Sequence, residues 1–518
     1  MHAWSVVVVA ALCRVSTCAL QTDQKYWSGL AENELNEALQ IKWNLGTAKN
    51  VILFVGDGMG PNTVTAARIY QGGETHRMSF EKFPHLGLLK TYSANKMVPD
   101  SACSATALFS GVKSNLGTLG LDATVQQNDC QASLKQDTRL KSLAALALEA
   151  GKSSGLVTTM RVTHATPAPL YAHSASRKWE CEANMPPEAA QCKDIARQLV
   201  EDWPGRELHV VLGGGRQVLV SNSTGSPGDP ISAWSCYRRD GRDLIEEYRK
   251  DKDNRGLKYN VVSNTRELQN IDDSADYLFG IFANEHLKYE FERDKGPEGQ
   301  PSISDMTRAA IQVLKKNPNG YFLMVEGGKI DLAHHRSRAK TAIDEASAME
   351  RAVQWAVDLT DDETLIIVTS DHTHTLTING YPERGSSIFG IAGVSPFDRI
   401  NYTTLSYGTG GPGSLHYTVN KENGTITRRD PSGEDVENFM YEQIAAIPLD
   451  ENSHGGGDVA VYAKGPHAHL FHNVHEQHYV FHAVAYAAKI GPYSKATSGH
   501  LSPLLLFTTC LFIICYRN

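Results

Sequence analysis

Thr364-Leu365-Ile366-Ile367-Val368-Thr369-Ser370-Asp371-His372-Thr373-His374 is an apolar, β-branched run that stops at an acid and two histidines. Such a run reads as a strand buried on both faces. The residues that end it are oxygen and nitrogen ligands for divalent metals. The same arrangement occurs twice more. Val51 to Gly56 runs into Asp57, and Tyr321 to Val325 runs into Glu326, followed by Asp331, His334 and His335. Three buried strands thus each carry a carboxylate at the C-terminal end, where open α/β sheets form their sites. The pattern predicts one polynuclear metal centre.

Outward from these strands, helical and extended patterns alternate from Val51 to about Ile378. Helices are expected at 61–70, 101–112, 138–150, 188–201, 303–315 and 337–359, and strands at 153–159, 208–212, 321–326 and 364–370. Alternation of this kind predicts an α/β fold, a mostly parallel central sheet with helices on both faces, over a catalytic core at 47–383. Residues 384–450, rich in Gly, Ser, Asn and Tyr and holding the loop Gly408 to Gly413, break the pattern and read as an inserted surface subdomain. The core resumes over 451–493 with a strand at 458–463 and a closing helix at about 476–489. Ahead of the first strand, Ala31, Leu35, Ala38 and Leu39 keep a helical period. The segment 21–46 reads as an N-terminal helical arm that packs on the body or reaches a partner subunit.

The net charge of −8 over 518 residues argues against a nucleic-acid-binding surface. Val6 to Leu12 and the small residues to Ala19 read as a signal peptide over 1–20. The apolar run Leu501–Cys515, after the small polar stretch from Ser494, reads as a GPI signal over 494–518 whose tail is removed. The alternative, a membrane span, needs a longer apolar run. Sequons at Asn222, Asn401 and Asn423 fit the secretory route. Of nine cysteines, four lie in these terminal segments. Cys103, Cys130, Cys181, Cys192 and Cys236 allow at most two bridges and one free thiol. Cys103, in a small-residue helix beside the candidate site, is the expected buried thiol.

The remaining chemistry gathers in short motifs. Asp57-Gly58-Met59-Gly60-Pro61 turns from a strand into a helix and aims amides and a carboxylate at one point. In Pro99-Asp100-Ser101-Ala102-Cys103, Asp100 or Ser101 reads as a helix cap. Alternatively, the Ser101 hydroxyl sits at the positive helix end as a nucleophile. His164-Ala165-Thr166-Pro167 and Arg177 follow a strand; an arginine there matters if it reaches a phosphoryl group bidentately. Asp331 and His335 stand at i, i+4, one face of a helix if the segment is helical. His454 precedes the resumed strand. His467, His469, His472, His475 and His478 form a dense tract that reads as solvated or core-lining before it reads as a second metal cluster.

Taken together, Val51–Ile69, Val98–Gly111, Leu156–Arg177, Tyr321–His335, Leu365–Gly390 and His454–Ala485 resemble the animal alkaline phosphatases of the GPI-anchored type. The resemblance implies hydrolysis of phosphate monoesters through a phosphoserine, at a site of two zinc ions and one magnesium. It implies Asp331, His335 and His454 for the first zinc, and Asp57, Ser101, Asp371 and His372 for the second, with His374 close by. Asp57, Thr166 and Glu326 match the magnesium shell, with His164 behind a coordinated water, and Arg177 matches the phosphate-binding arginine. It further implies a Cys130–Cys192 disulfide and a homodimer in which Tyr381 crosses to the partner's active-site entrance and the insertion forms a crown. Many animal relatives carry a fourth, calcium-type site. Here Ala283 follows Phe282 where they place an acid, and no acidic counterpart is evident near Pro230-Ile231, so the sequence does not support calcium. Leu332 and Gly457 replace polar family residues, and the C-terminal disulfide of the family is missing. A phosphodiesterase of the same superfamily would lack the Thr166 and Glu326 pair. A sulfatase would need a modifiable residue in its own motif, and an anchored binding protein would not need the full ligand set.

Overall fold

The computed structural model describes residues 23–495. The signal peptide, the four terminal cysteines and most of the GPI signal lie outside the described residues. Helix α1 (Gln24–Leu39), the predicted arm, is capped by Asp23, whose carboxylate accepts the Tyr26 N–H, and has no buried residue.

The rest is built on ten strands: β1 Asn50–Gly56, β2 His85–Lys90, β3 Ser153–Arg161, β4 Val210–Gly214, β5 Tyr259–Val262, β6 Tyr277–Ile281, β7 Tyr321–Gly327, β8 Thr364–Thr369, β9 Val459–Lys464 and β10 Asn473–Glu476. Their spatial order is β10-β2-β9-β8-β1-β7-β3-β4-β6-β5. All neighbouring pairs are parallel except those of β9, which runs antiparallel to both β8 and β2. The three strands that end in acids are adjacent at the centre, with Val55 beside Glu326 on one side and Thr369 on the other. That adjacency brings the acids together.

Both faces of these strands are buried, which explains their uninterrupted apolar runs. Val51, Leu53 and Val55 face one core with the helices Ser101–Ser110 (α2) and Tyr479–Ala488; Ile52 and Phe54 face a second core with the helices Ile303–Leu314 and Ala339–Leu359. Two helices are shorter than the sequence predicts. The one expected at 138–150 starts at Leu143, because Ser142 caps it by accepting the Ala145 N–H. The one expected at 188–201 starts at Ile195, where Asp194 accepts the Arg197 N–H. Beyond Leu376 the chain leaves the main sheet for small ones, including Leu376–Ile378, Leu405–Gly410 and Ala445–Pro448.

Cys130 bonds to Cys192 and Cys181 to Cys236, and among the described residues Cys103 is free and buried.

Candidate metal centre

Asp57, Glu326 and Asp371 are fully buried at the C-terminal edge of the sheet. Part of their oxygen complement is satisfied. Thr158 Oγ1 donates to Glu326 Oε2 at 2.5 Å, Thr166 Oγ1 to Asp57 Oδ2 at 3.3 Å, and Gly58 N to Asp371 Oδ1 at 3.0 Å. Asp57 Oδ1 and Glu326 Oε1 are buried with no hydrogen-bond partner. Burial, followed by the mutual repulsion of the acids, pushes Asp57 well above the usual carboxylate range and Asp371 above it. Burial takes Glu326 to about 8 even against the hydroxyls of Thr158 and Thr166. The cluster is short of positive charge.

The histidines arrive with their proton side already committed. Helix α3 (Lys329–His335) sets Asp331 and His335 one turn apart. His335 Nδ1 donates to the Asn452 carbonyl at 2.7 Å, His454 Nδ1 to the Pro99 carbonyl at 2.8 Å, and His372 Nδ1 to the Thr373 carbonyl at 3.3 Å. Carbonyls only accept, so each of these rings turns a proton-free Nε2 inward when it is neutral. The inward nitrogens converge: His335 and His454 Nε2 stand 3.1 Å apart, and His454 Nε2 is 3.5 Å from Asp331 Oδ1. His372 Nε2 is 3.4 Å from Asp57 Oδ1 and 3.3 Å from Asp371 Oδ2. Neutral rings would turn lone pairs at one another and at bare carboxylate oxygens, a repulsion that either a second proton on His335 or a bound cation relieves. The donor set therefore fits divalent metals. Burial holds His372 near 3 and His454 well below the usual imidazole range, so both are neutral. Burial lowers His335 too, but Asp331 outweighs it and lifts that ring to about 9.

Three groups of ligand atoms lie close enough to share ions: Asp331, His372, His374 and His454; Asp57, Asp371 and His372; Asp57, His164 and Glu326. His335 adjoins the first, with Nε2 3.4 Å from Asp331 Oδ2. His374, expected only nearby, points Nε2 at Asp331 Oδ1 from 2.6 Å. His164, expected behind a water, offers a ring nitrogen to the third group directly, and its Nδ1 is buried without a partner.

Ser101 is the first residue of α2, and the cap is Asp100, whose Oδ1 accepts the Cys103 N–H at 3.2 Å. The serine hydroxyl has no capping duty and stands 3.3 Å from His372 Nε2. Arg177 lies between Asp100 (Nη1 to Oδ2, 3.1 Å) and His164 (Nη2 to Nε2, 3.4 Å). Burial opposes ionisation of Asp100, but Arg177 holds its carboxyl below the ordinary range.

Other candidates are more dispersed. Asn222 and Asn423 are exposed, whereas Asn401 Nδ2 donates to both Asp430 oxygens. Tyr381 is almost wholly exposed. In the region considered for calcium, Asp229 supplies the acid that the sequence did not reveal. Its carboxylate is already taken, Oδ1 by the Asn284 N–H (2.8 Å) and Oδ2 by Arg216 Nη1 (3.0 Å). In the histidine tract, His472 Nε2 meets His85 Nδ1 at 2.8 Å, His469 stacks on Trp43 and His475 on Tyr479, a packing role. Sequence reasoning missed Thr158, Asn452 and Gln477, whose Nε2 donates to the Asp371 carbonyl at 2.6 Å. Asn452 lay two residues before His454 and Gln477 between His475 and His478, so both stood near flagged motifs.

A family model described as alkaline phosphatase matches residues 48–490. The chain is 44% identical over 506 residues to the human tissue-nonspecific isozyme of alkaline phosphatase, covering 94% of each chain. It is 40% identical over 496 residues to a membrane-bound alkaline phosphatase of Bombyx mori, covering 92% of this chain and 87% of that one. Among solved structures, the alkaline phosphatase of Thermus thermophilus superposes with a TM-score of 0.60 at 25% identity, over 87% of this chain and 93% of that one.

Proposed function

The chain belongs to the alkaline phosphatase family and hydrolyses phosphate monoesters with metal cofactors, and on that premise we propose how its residues divide the work. Asp331, His335 and His454, with His374 against Asp331, hold one zinc. Asp57, Asp371 and His372 hold a second beside Ser101. Asp57, Thr166, Glu326 and His164 hold magnesium. When bound, these ions supply Lewis-acid charge that favours the Ser101 alkoxide and neutralises phosphoryl oxygens. The observation that carries the reading is the convergence of His335 and His454 Nε2 on the Asp331 carboxylate and of His372 Nε2 on the unpartnered Asp57 Oδ1, with the Ser101 hydroxyl at its rim.

The steps belong to the chain. Arg177, braced by Asp100, pairs with the non-bridging phosphoryl oxygens and aligns phosphorus with Ser101. The oxygen of Ser101 attacks in line. A Ser101 O–P bond forms as the ester O–P bond breaks, and the leaving oxygen takes up a proton. Water then attacks phosphorus in line from the side the alcohol vacated, opposite Ser101; the Ser101 O–P bond breaks, the serine oxygen takes back a proton and phosphate is released. Recognition ends at the phosphoryl group, so a broad range of monoesters is expected.

Anchoring through a lipid at the outer membrane face is supported by the terminal sequences and by the membrane-bound relative. Among the described residues no helix is long and apolar enough to cross a membrane. A homodimer with a crown over 384–450 and with Tyr381 crossing to the partner's active-site entrance, and glycans at Asn222, Asn401 and Asn423, complete the proposal. Calcium is not included, since Arg216 and Asn284 already occupy the Asp229 carboxylate. Monoester against diester hydrolysis across pH, before and after chelation and with zinc counted by elemental analysis, tests the whole. Fewer than two zinc equivalents in fully active protein would sink the assignment.

A further inference from the structure

Asn452 is wholly buried two residues ahead of His454. Its amide orientation is fixed by Nδ2, which donates to the Thr409 carbonyl at 2.6 Å and to Thr375 Oγ1 at 2.5 Å. The atom facing His374 Nδ1, at 2.6 Å, is therefore the acceptor Oδ1. An amide oxygen and a carboxylate oxygen both only accept, so the ring that spans them donates from Nδ1 to Asn452 and from Nε2 to Asp331 Oδ1, 2.6 Å away. The backbone of the same residue holds a second ring. Its carbonyl accepts from His335 Nδ1 at 2.7 Å, and its N–H donates to the His335 carbonyl at 2.9 Å. Two histidines on different elements are thus oriented by one residue, and both aim Nε2 at the carboxylate of Asp331. Thr409 lies in the strand Leu405–Gly410 of a small sheet outside the main one, so the amide also joins that sheet to the metal centre.

We propose that Asn452 is a positioning residue for the Asp331–His335–His454 metal group: its side-chain amide locks His374 against Asp331 and thereby fixes that carboxylate for the ion. The inference deepens the zinc assignment above and rests on it. Without Oδ1, His374 loses the acceptor that orients its Nδ1–H, and Asp331 loses its brace. The metal group then opens more readily. Supports of this kind are typically worth about 10–100-fold in metal affinity.

The test uses the zinc-loaded full chain. Release of zinc into a chromogenic chelator is timed for wild type, Asn452→Leu and Asn452→Asp, and the visible spectrum of each cobalt-substituted form is recorded. Leucine removes both donor and acceptor; aspartate keeps the oxygen that faces His374 and loses the donors to Thr409 and Thr375. The backbone bonds to His335 remain in every variant. The expected result is zinc release about 10–100-fold faster in the leucine variant, with an altered cobalt spectrum, and near-wild-type behaviour in the aspartate variant. A role confined to packing would leave the cobalt spectrum unmoved. Should the leucine variant not fold, Asn452→Ser, polar but too short to reach the ring, carries the same expectation. Wild-type release rates in the leucine or serine variant, or an aspartate variant as leaky as leucine, overturn the inference alone. A wild-type chain that retains no zinc overturns the metal assignment and this inference with it.

Discussion

At the end of β7 the Glu326 carboxylate keeps one oxygen without a partner, whereas beside neighbouring β3 the Glu180 carboxylate is fully engaged. Arg161, the last residue of β3, donates Nε and Nη2 to the two Glu180 oxygens at 2.8 and 2.7 Å, and Thr163 adds its hydroxyl at 2.6 Å. Both carboxylates are buried. Burial carries Glu326 up to about 8, while the same burial is overcome at Glu180 by Arg161, which brings it to about 2. The difference lies in who supplies the cation. One cluster contains its own and is structural; the other leaves room for a cation from solution, and the nucleophile candidate stands beside it.

The largest expected effect lies at Ser101. Because Asp100 is the cap, Ser101→Ala costs little stability, and its effect reads on chemistry alone. Turnover is expected to fall by orders of magnitude while zinc content is retained. Labelled phosphate trapped at acid pH, where dephosphorylation is slow, is expected on Ser101 in wild type. Label mapped to any other residue would remove the serine from the mechanism.

Chelation separates the two clusters next. Stripping the metals is expected to abolish activity and lower Tm. An ion at a hundredfold excess over its Kd contributes about 2.7 kcal/mol of stability per site. Zinc plus magnesium is expected to restore both. An unchanged Tm after stripping would mean that the bare oxygens do not depend on bound cations.

The self-sufficient cluster breaks in another way. Arg161→Met leaves Glu180 buried and unpaired, a loss of about 3–5 kcal/mol, measured as a denaturant midpoint that metal excess does not recover. The pH dependence has a definite sign. Glu180 has its folded pKa depressed from 4.5 to about 2, so its contribution is present above pH 4.5 and drains away as pH falls toward 2. The shift corresponds to about 3 kcal/mol. Glu180→Gln removes that titration, so its stability is expected to decline less than wild type across this window. Parallel acid curves for the two proteins would contradict the assignment.

These regions were not equally legible in the sequence. The strands before Asp57, Glu326 and Asp371 stood out because each is buried on both faces and unbroken by polar residues. β2 was missed because its side chains alternate between buried and exposed around Gly87, and β10 because it is short and polar. The i, i+4 pair Asp331 and His335 was readable, since helical geometry alone makes it one face. Arg161 and Glu180 gave no signal: they stand 19 residues apart and meet only through the fold. Asn452 was hidden for the same reason, because its partners come from α3, the Thr373–His374 strand and Thr409. Spacing reveals residues that share an element, and charge pairs assembled across elements leave no spacing to read.

The smallest effect expected is a conversion of one kind of region into the other. Asp229 sits in a half-exposed counterpart of the Arg161 cluster, with Arg216 donating to its Oδ2 and to the Ile281 carbonyl at 2.9 Å. Removing the guanidinium by Arg216→Ala leaves a carboxylate oxygen, the Ile281 carbonyl and Asn284 Oδ1 facing the space it filled. Those are hard oxygen acceptors with no remaining cation, the chemistry that calcium uses. Exposed pairs of this sort contribute only about 0–1 kcal/mol, so the variant is expected to fold with a slightly lower Tm than wild type. Millimolar calcium is then expected to recover part of that loss in the variant and to leave wild-type Tm unmoved. A calcium-dependent rise in wild type would mean that the ion binds despite the guanidinium, and the rule that a cluster with its own cation needs no other would fail at this position.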